Sequence, residues 1–184
     1  MTDARPLALA LLGGLALLFL VGVRRVFVPP AGGHRYRASL VSGSVLLAEA
    51  LAIAVRPVPP LRVAVAGFPF ALSLGLFLWA ARANRARPLR LAFSGQLPEH
   101  VQSDGPYRLV RHPFYASYLL AFAGGWIAAG TAWLAPAVLL GLGTYLAAAR
   151  REEAAFERSA VRDAYRRYAR RVGMFLPRPF PARD

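Results

Sequence analysis

The sequence predicts an all-α fold: an integral membrane bundle of five transmembrane helices, closed by a cytoplasmic amphipathic helix at the carboxyl end. Three observations predict it. Apolar residues make up 57% of the 184 and charged ones only 17%, too little polar surface for a soluble domain of this size. Five apolar runs, at about 6–23, 39–55, 63–81, 114–129 and 132–149, approach the roughly 17–25 residues that a spanning helix needs. All 23 basic residues are arginines, and they are spread unevenly.

The arginines set the topology. Loop 24–38 carries four, loop 82–113 six and the tail from Arg150 ten, against Arg5, Arg56 and Arg62 elsewhere. With five spans, the three rich segments fall on one face. Basic residues favour the cytoplasmic side, which puts the amino terminus outside the cell membrane and the tail inside. The same asymmetry explains the net charge of +14 without nucleic acid, and it gives the membrane's anionic headgroups an arginine face to meet. The first run is long for a signal peptide and four more follow, so it is read as a mature helix.

The chain divides as one membrane domain, 1–184. Residues 1–81 form a three-helix scaffold, 82–113 a cytoplasmic loop, 114–149 a helical hairpin and 150–184 a tail. In the scaffold Gly13, Gly14, Gly43, Gly67 and Gly75 are expected to let helices approach closely. Pro69 should kink the third span. Glu49 lies inside the second span. A carboxyl there is costly, so it marks either function or a neutral group near the interface or hydrogen-bonded to a neighbouring helix.

Only Gly130-Thr131 separates the fourth and fifth runs, which predicts a tight hairpin. Its other ends, near His112 and Arg150, then return to one face. Phe114, Tyr118, Phe122 and Trp126 recur every fourth residue, a packing or lipid-facing stripe. Gly124-Gly125 is read as packing. From Arg151 to Val172 the chain reads as one amphipathic helix, with Phe156, Ala160, Ala164, Tyr168 and Val172 at four-residue spacing. Gly173 ends it.

The densest cluster of chemistry is 105–115, Gly-Pro-Tyr-Arg-Leu-Val-Arg-His-Pro-Phe-Tyr. Pro113 suits the first position of a helix, which places His112 at its cap. The positive end of the helix dipole should keep that imidazole neutral. Free amides at a helix start suit a carboxylate or hydroxyl ligand, and Tyr115 projects from the same side as His112. Arg150-Arg151-Glu152-Glu153 offers both charge signs where the last run ends. The chain has no cysteine, which excludes disulfides and thiolate metal sites. No metal cluster, phosphate-binding glycine loop or serine-type triad is legible, and His34 and His100 are too scattered for a metal site.

The 105–115 stretch resembles the signature of the isoprenylcysteine carboxyl methyltransferase family, which belongs with the membrane phospholipid methyltransferases. A second family element, a Glu-Glu pair, an apolar residue, Tyr-x-x-Tyr and a terminal Phe-x-Pro, is matched by Glu152-Glu153, Phe156, Tyr165, Tyr168 and 175–177. The resemblance covers about 96–177. It implies S-adenosylmethionine as methyl donor, bound on the cytoplasmic side. Glu99, His100, Val101 and Gln102 would line the adenosine side, and Tyr107, His112, Pro113, Phe114 and Tyr115 would complete the pocket. The family's substrate-facing Arg and Glu map to Arg150 or Arg151 and to Glu152 or Glu153. The expected activity is methyl transfer to a small lipophilic acceptor entering from the bilayer, foremost carboxyl O-methylation. Amine, phospholipid or thiol acceptors on the same scaffold stay open, as do a sterol-reductase-like NADPH enzyme and a non-enzymatic scaffold. The sequence departs from the family where Ala148 or Ala149 stands four residues before the glutamates, and where Val161-Arg162 replaces Phe-Gly.

Overall fold

A computed structural model describes residues 3–28, 37–85, 89–90 and 97–178. Arg35, Arg87 and Arg183 of the charge tally, and His34, lie outside them. The described chain is helical: α1 (Arg5–Val26), α2 (Arg37–Ala54), α3 (Pro60–Ala83), α4 (Pro113–Ala129), α5 (Ala135–Glu157) and α6 (Arg162–Arg171), with one two-residue parallel pair, β1 (Phe27–Val28) and β2 (Leu89–Arg90). By length and composition three segments are able to cross a membrane, Arg5–Gly22, Pro60–Ala83 and Ala132–Glu157, and Ala38–Ala54 is a shorter apolar helix. Large apolar side chains stand on the outer surface, among them Leu17, Leu40, Leu47, Leu61, Phe68 and Leu139. An exposed apolar surface of this extent suits lipid rather than water.

Helix α4 is the axis of the bundle. It packs most extensively on α3 and also touches α1, α2 and α5. Its sequence explains this. Ala116, Ser117, Ala121, Gly124, Gly125 and Ala128 are small and buried, so neighbouring helices come close on several sides. Phe114, Tyr118 and Phe122 of the expected stripe turn inward and meet Phe19, Phe77 and Tyr145 in one aromatic core, with ring centroids 4.7–6.2 Å apart. Trp126 at the end of the stripe is partly exposed and donates from Nε1 to the Thr131 carbonyl at 2.8 Å.

The glycines that permit close approach are not the five expected. A Cβ at Gly13, Gly14, Gly43, Gly67 or Gly75 would meet nothing within 4 Å, so those positions face outward. The close approaches are at Gly22 against the Phe77 ring, Gly124 against Phe70, Gly125 against Glu49 and Gly141 against Phe122. Composition alone does not say which face of an apolar helix is inside. Gly124-Gly125 is packing, as read. Helix α3 continues through Pro69 without a break in its helical residues.

The two ends of the bundle differ. At one end the start of α1 is tied to the α2–α3 turn, Ala4 N–H donating to the Val58 carbonyl at 2.9 Å and Arg5 Nη1 to Ala54 at 3.1 Å. Gly130 caps α4 there with φ +60°, where the Arg62 guanidinium fills the space a Cβ would take. At the other end β1 pairs with β2, joining the ends of α1 and α3, and the 105–115 motif lies beside the end of α3.

The carboxyl-terminal region corrects the sequence reading. One helix from Arg151 to Val172 was expected. Instead α5 runs on past its apolar part to Glu157, and α6 begins only at Arg162. Ser159 makes the break, its Oγ accepting from the Val161 N–H at 3.3 Å while its own hydroxyl and amide reach the Phe156 carbonyl. Serine competes with the helix in this way. Ala160 and Ala164 are exposed, and the joint is held by Phe156 stacked on Tyr165 at 4.2 Å.

Candidate active site

The motif enters the bundle at Gly105, whose φ of +59° favours glycine and where a Cβ would press on Ala83 and Trp79. The short 3-10 turn Gly105–Arg108 follows. It buries Tyr107 against the end of α3, where Asn84 Nδ2 donates to the Tyr107 hydroxyl at 3.0 Å and to the Ala80 carbonyl at 2.7 Å. Asn84 went unnoticed in the sequence, although an amide at the very end of an apolar run is a visible signal. Gln102 Nε2 reaches the Ala83 carbonyl at 3.4 Å and fastens 97–102 to the same helix end.

At the start of α4, Arg111 and His112 meet the polar end of α5. Arg111 Nε and Nη2 both stand 2.9 Å from Glu153 Oε1. His112 Nε2 lies 3.1 Å from the same Glu153 oxygen, and Nδ1 lies 3.1 Å from Glu152 Oε2. The Tyr115 hydroxyl donates to Glu152 Oε1, and the Tyr115 ring stacks on His112 at 5.6 Å and an angle of 9°. Tyr115 is in turn 5.0 Å from Tyr145, whose hydroxyl shares a short hydrogen bond with Ser42 of α2.

The tail closes this cluster. The Arg111 and His112 amides donate to the Gly173 and Met174 carbonyls at 2.8 and 3.2 Å. Arg111 Nη1 donates to the Ala169 and Val172 carbonyls, and the Tyr168 hydroxyl to the Tyr107 carbonyl at 2.7 Å. Phe175 meets the His112 ring edge-on at 6.1 Å.

Electrostatics reverses one expectation. The helix dipole alone would keep His112 neutral. Burial works against its charge, but hydrogen bonds to Glu152 and Glu153 outweigh that burial and raise its pKa above 6.5. Only the doubly protonated ring can donate at both nitrogens. The carboxyl of Glu153 is opposed by burial yet held down to about 2 by His112 and Arg111.

The structure therefore brings together His112, Tyr115, Glu152 and Glu153, with Arg111 added. Tyr107, Pro113 and Phe114 lie beneath them as packing: Pro113 opens α4 and Phe114 faces Phe77 in the core. Glu99 and His100 are exposed and Val101 is half-buried. Arg150 and Arg151 are exposed on the last turns of α5, without an ion pair to another described residue. Glu49 is remote, thirteen helix positions along α4 from His112 by its contact with Gly125. It is fully buried and neither of its oxygens has a hydrogen-bond partner, so the expected bond to a neighbouring helix is not made. No group of three or more potential metal ligands occurs among the described residues.

An apolar-surfaced helical bundle with a histidine–glutamate cluster at one end suits a membrane protein. A family model described as phospholipid methyltransferase matches residues 61–162, more than half of the chain. The chain belongs to that family and is a membrane methyltransferase. This is the superfamily of the isoprenylcysteine carboxyl methyltransferases, which the motif resembles. No curated protein and no solved structure matches the chain.

Proposed function

We propose that the protein transfers a methyl group from S-adenosylmethionine to a small lipophilic acceptor at the cytoplasmic face of the cell membrane, foremost to an acceptor carboxylate. The observation that carries this reading is the convergence of His112, Tyr115, Glu152 and Glu153 beneath the tail. The proposed topology has five crossings with the amino terminus outside. Its support is the arginine asymmetry, together with Arg5 and Arg62 lying at the end of the bundle opposite the motif.

The residues present fit a zwitterionic sulfonium cofactor. The Tyr115 ring favours a cation, the partly exposed Glu152 carboxylate favours an ammonium group, and Glu99–Gln102, of which Glu99 and His100 are exposed, would border the adenosine. When bound, S-adenosylmethionine supplies a methyl group on a sulfonium. Its transfer is an in-line displacement that depends on alignment. The tail anchored on Arg111 and His112 excludes water from a reaction in which charge is neutralised. Arg111 is already committed to Glu153 and two carbonyls, and the exposed Arg150 or Arg151 would orient a carboxylate acceptor.

A second reading is an amine acceptor of the phospholipid kind. The Glu152 carboxylate favours it, since Glu152 keeps 26% of its side chain exposed and is placed to take the proton that an ammonium group must lose.

Calorimetry of the detergent-solubilised chain tests the cofactor. S-adenosylhomocysteine should bind and NADPH should not. His112→Ala and Glu153→Gln should weaken that binding at least tenfold while the protein still inserts. Unchanged binding in both variants sinks the site assignment. Labelled donor offered with a prenylated cysteine or with phosphatidylethanolamine separates the acceptors.

A further inference from the structure

Behind the Arg111–Glu153 pair, between the end of α5 and α6, lies a surface hollow of about 610 Å³. It is lined by Arg111, Glu153, Glu157, Tyr165, Arg166 and Arg170, with Arg178 and two alanines. It shares Glu153 with the cofactor site proposed above but lies on the far side of the Arg111–Glu153 pair from His112, Tyr115 and Glu152, which do not line it. Its charges do not balance. Arg111 is neutralised by Glu153, and Arg166 by Glu157 at 2.6 Å. Among the described residues Arg170 and Arg178 have no carboxylate partner, Arg178 donating to the Arg170 carbonyl. Tyr165 is 5% exposed, and its hydroxyl makes no well-formed hydrogen bond, although the Glu153 carboxylate lies close by. A buried hydroxyl left in that state is costly. Two surplus guanidiniums beside an unused hydroxyl make a seat for an anion with several acceptor oxygens.

We infer that this hollow binds the phosphate of an anionic phospholipid headgroup. The phosphodiester would be met by Arg170, Arg178 and the Tyr165 hydroxyl. The bilayer is its source because the hollow sits where the apolar part of α5 gives way to charged helix, and α6 carries arginines on its exposed faces. A headgroup seated here braces α6. The same segment carries the Ala169 and Val172 carbonyls that hold Arg111, so an occupied seat favours the closed tail. Lipid binding would follow from the hollow whether or not the methyl-transfer reading holds, and its test reads lipid, not turnover.

Full-length protein in neutral detergent, incubated with phosphatidylglycerol or phosphatidylcholine, is measured by native mass spectrometry for retained lipid. Phosphatidylglycerol should be retained in preference. The double variant Arg170→Gln/Arg178→Gln should lose it on the order of thirtyfold, from roughly fivefold per arginine at a membrane surface. Tyr165→Phe, which keeps every charge and the Phe156 stack, should lose it severalfold and covers the case in which the double variant does not fold. Arg167→Gln, on α6 but outside the hollow, should retain it. An equal loss in Arg167→Gln, equal retention of the two lipids, or displacement by millimolar inorganic phosphate would each overturn the assignment.

Discussion

Glu153→Gln should unclasp the tail. The substitution keeps the shape and removes the charge that Arg111 and His112 share. A carboxyl held at about 2 rather than 4.5 corresponds to roughly 3 kcal/mol. Glu153 keeps 22% of its side chain exposed, and screening brings this to about 2 kcal/mol. For a chain of this size that is a fall in Tm of about 4–8 °C. The pH profile carries the sharper test. Because Glu153 is lowered in the folded protein, its contribution is complete above 4.5 and is lost as pH falls toward about 2. Because His112 is raised, its contribution is complete below 6.5 and is lost as pH rises through the raised value. The clasp is therefore firmest between pH 4.5 and 6.5. Thermal unfolding in detergent from pH 3 to 9, together with hydrogen exchange of the Arg111 and His112 amides that donate to Gly173 and Met174, measures both limbs. A variant with the wild-type Tm and pH profile would refute the reasoning, since the shared oxygen would then hold nothing.

Three further outcomes follow from packing and hydrogen bonding. Gly22→Ala places a Cβ 2.3 Å from Phe77 Cζ and should cost about 1–3 kcal/mol, whereas Gly13→Ala, facing open space, should leave Tm unchanged; equal effects would show that the helix faces are wrongly assigned. Glu49→Met removes two buried oxygens that have no partner and should be neutral or raise Tm by a few degrees, so a marked fall would reveal a partner for the carboxyl. Tyr168→Phe loses the bond to the Tyr107 carbonyl, about 1 kcal/mol, and should speed proteolysis of the tail without altering the melting of the bundle; protection equal to wild type would argue that the backbone pairing at Gly173 suffices.

The candidate site was half legible in the sequence. The motif and the Glu152-Glu153 pair stand out because their residue types are costly at the edge of an apolar run. That His112 bridges both glutamates was not legible, because the partners are 40 and 41 positions apart and no periodicity links them. The upward pull on the His112 pKa was not legible for the same reason. A helix dipole is a local property and can be read from the chain, but the two carboxylates arrive only with the hairpin. Arg111 was read as part of the motif and of the loop's charge but given no role at the site, and the structure ties it to both Glu153 and the tail.

The sequence by itself determined that this chain is built of apolar helices, where each begins to within a few residues, and that its arginines are concentrated in three segments. Those features depend on composition and on runs along the chain. Tertiary structure decided which glycines face inward, that Ser159 splits the last amphipathic stretch in two, and that Phe114, Tyr118 and Phe122 form the core. In a bundle destined for lipid the inner and outer faces of a helix are equally apolar, so hydropathy cannot tell them apart. Only the packing of one helix on another does, and that packing is also what carries Glu152 and Glu153 to His112.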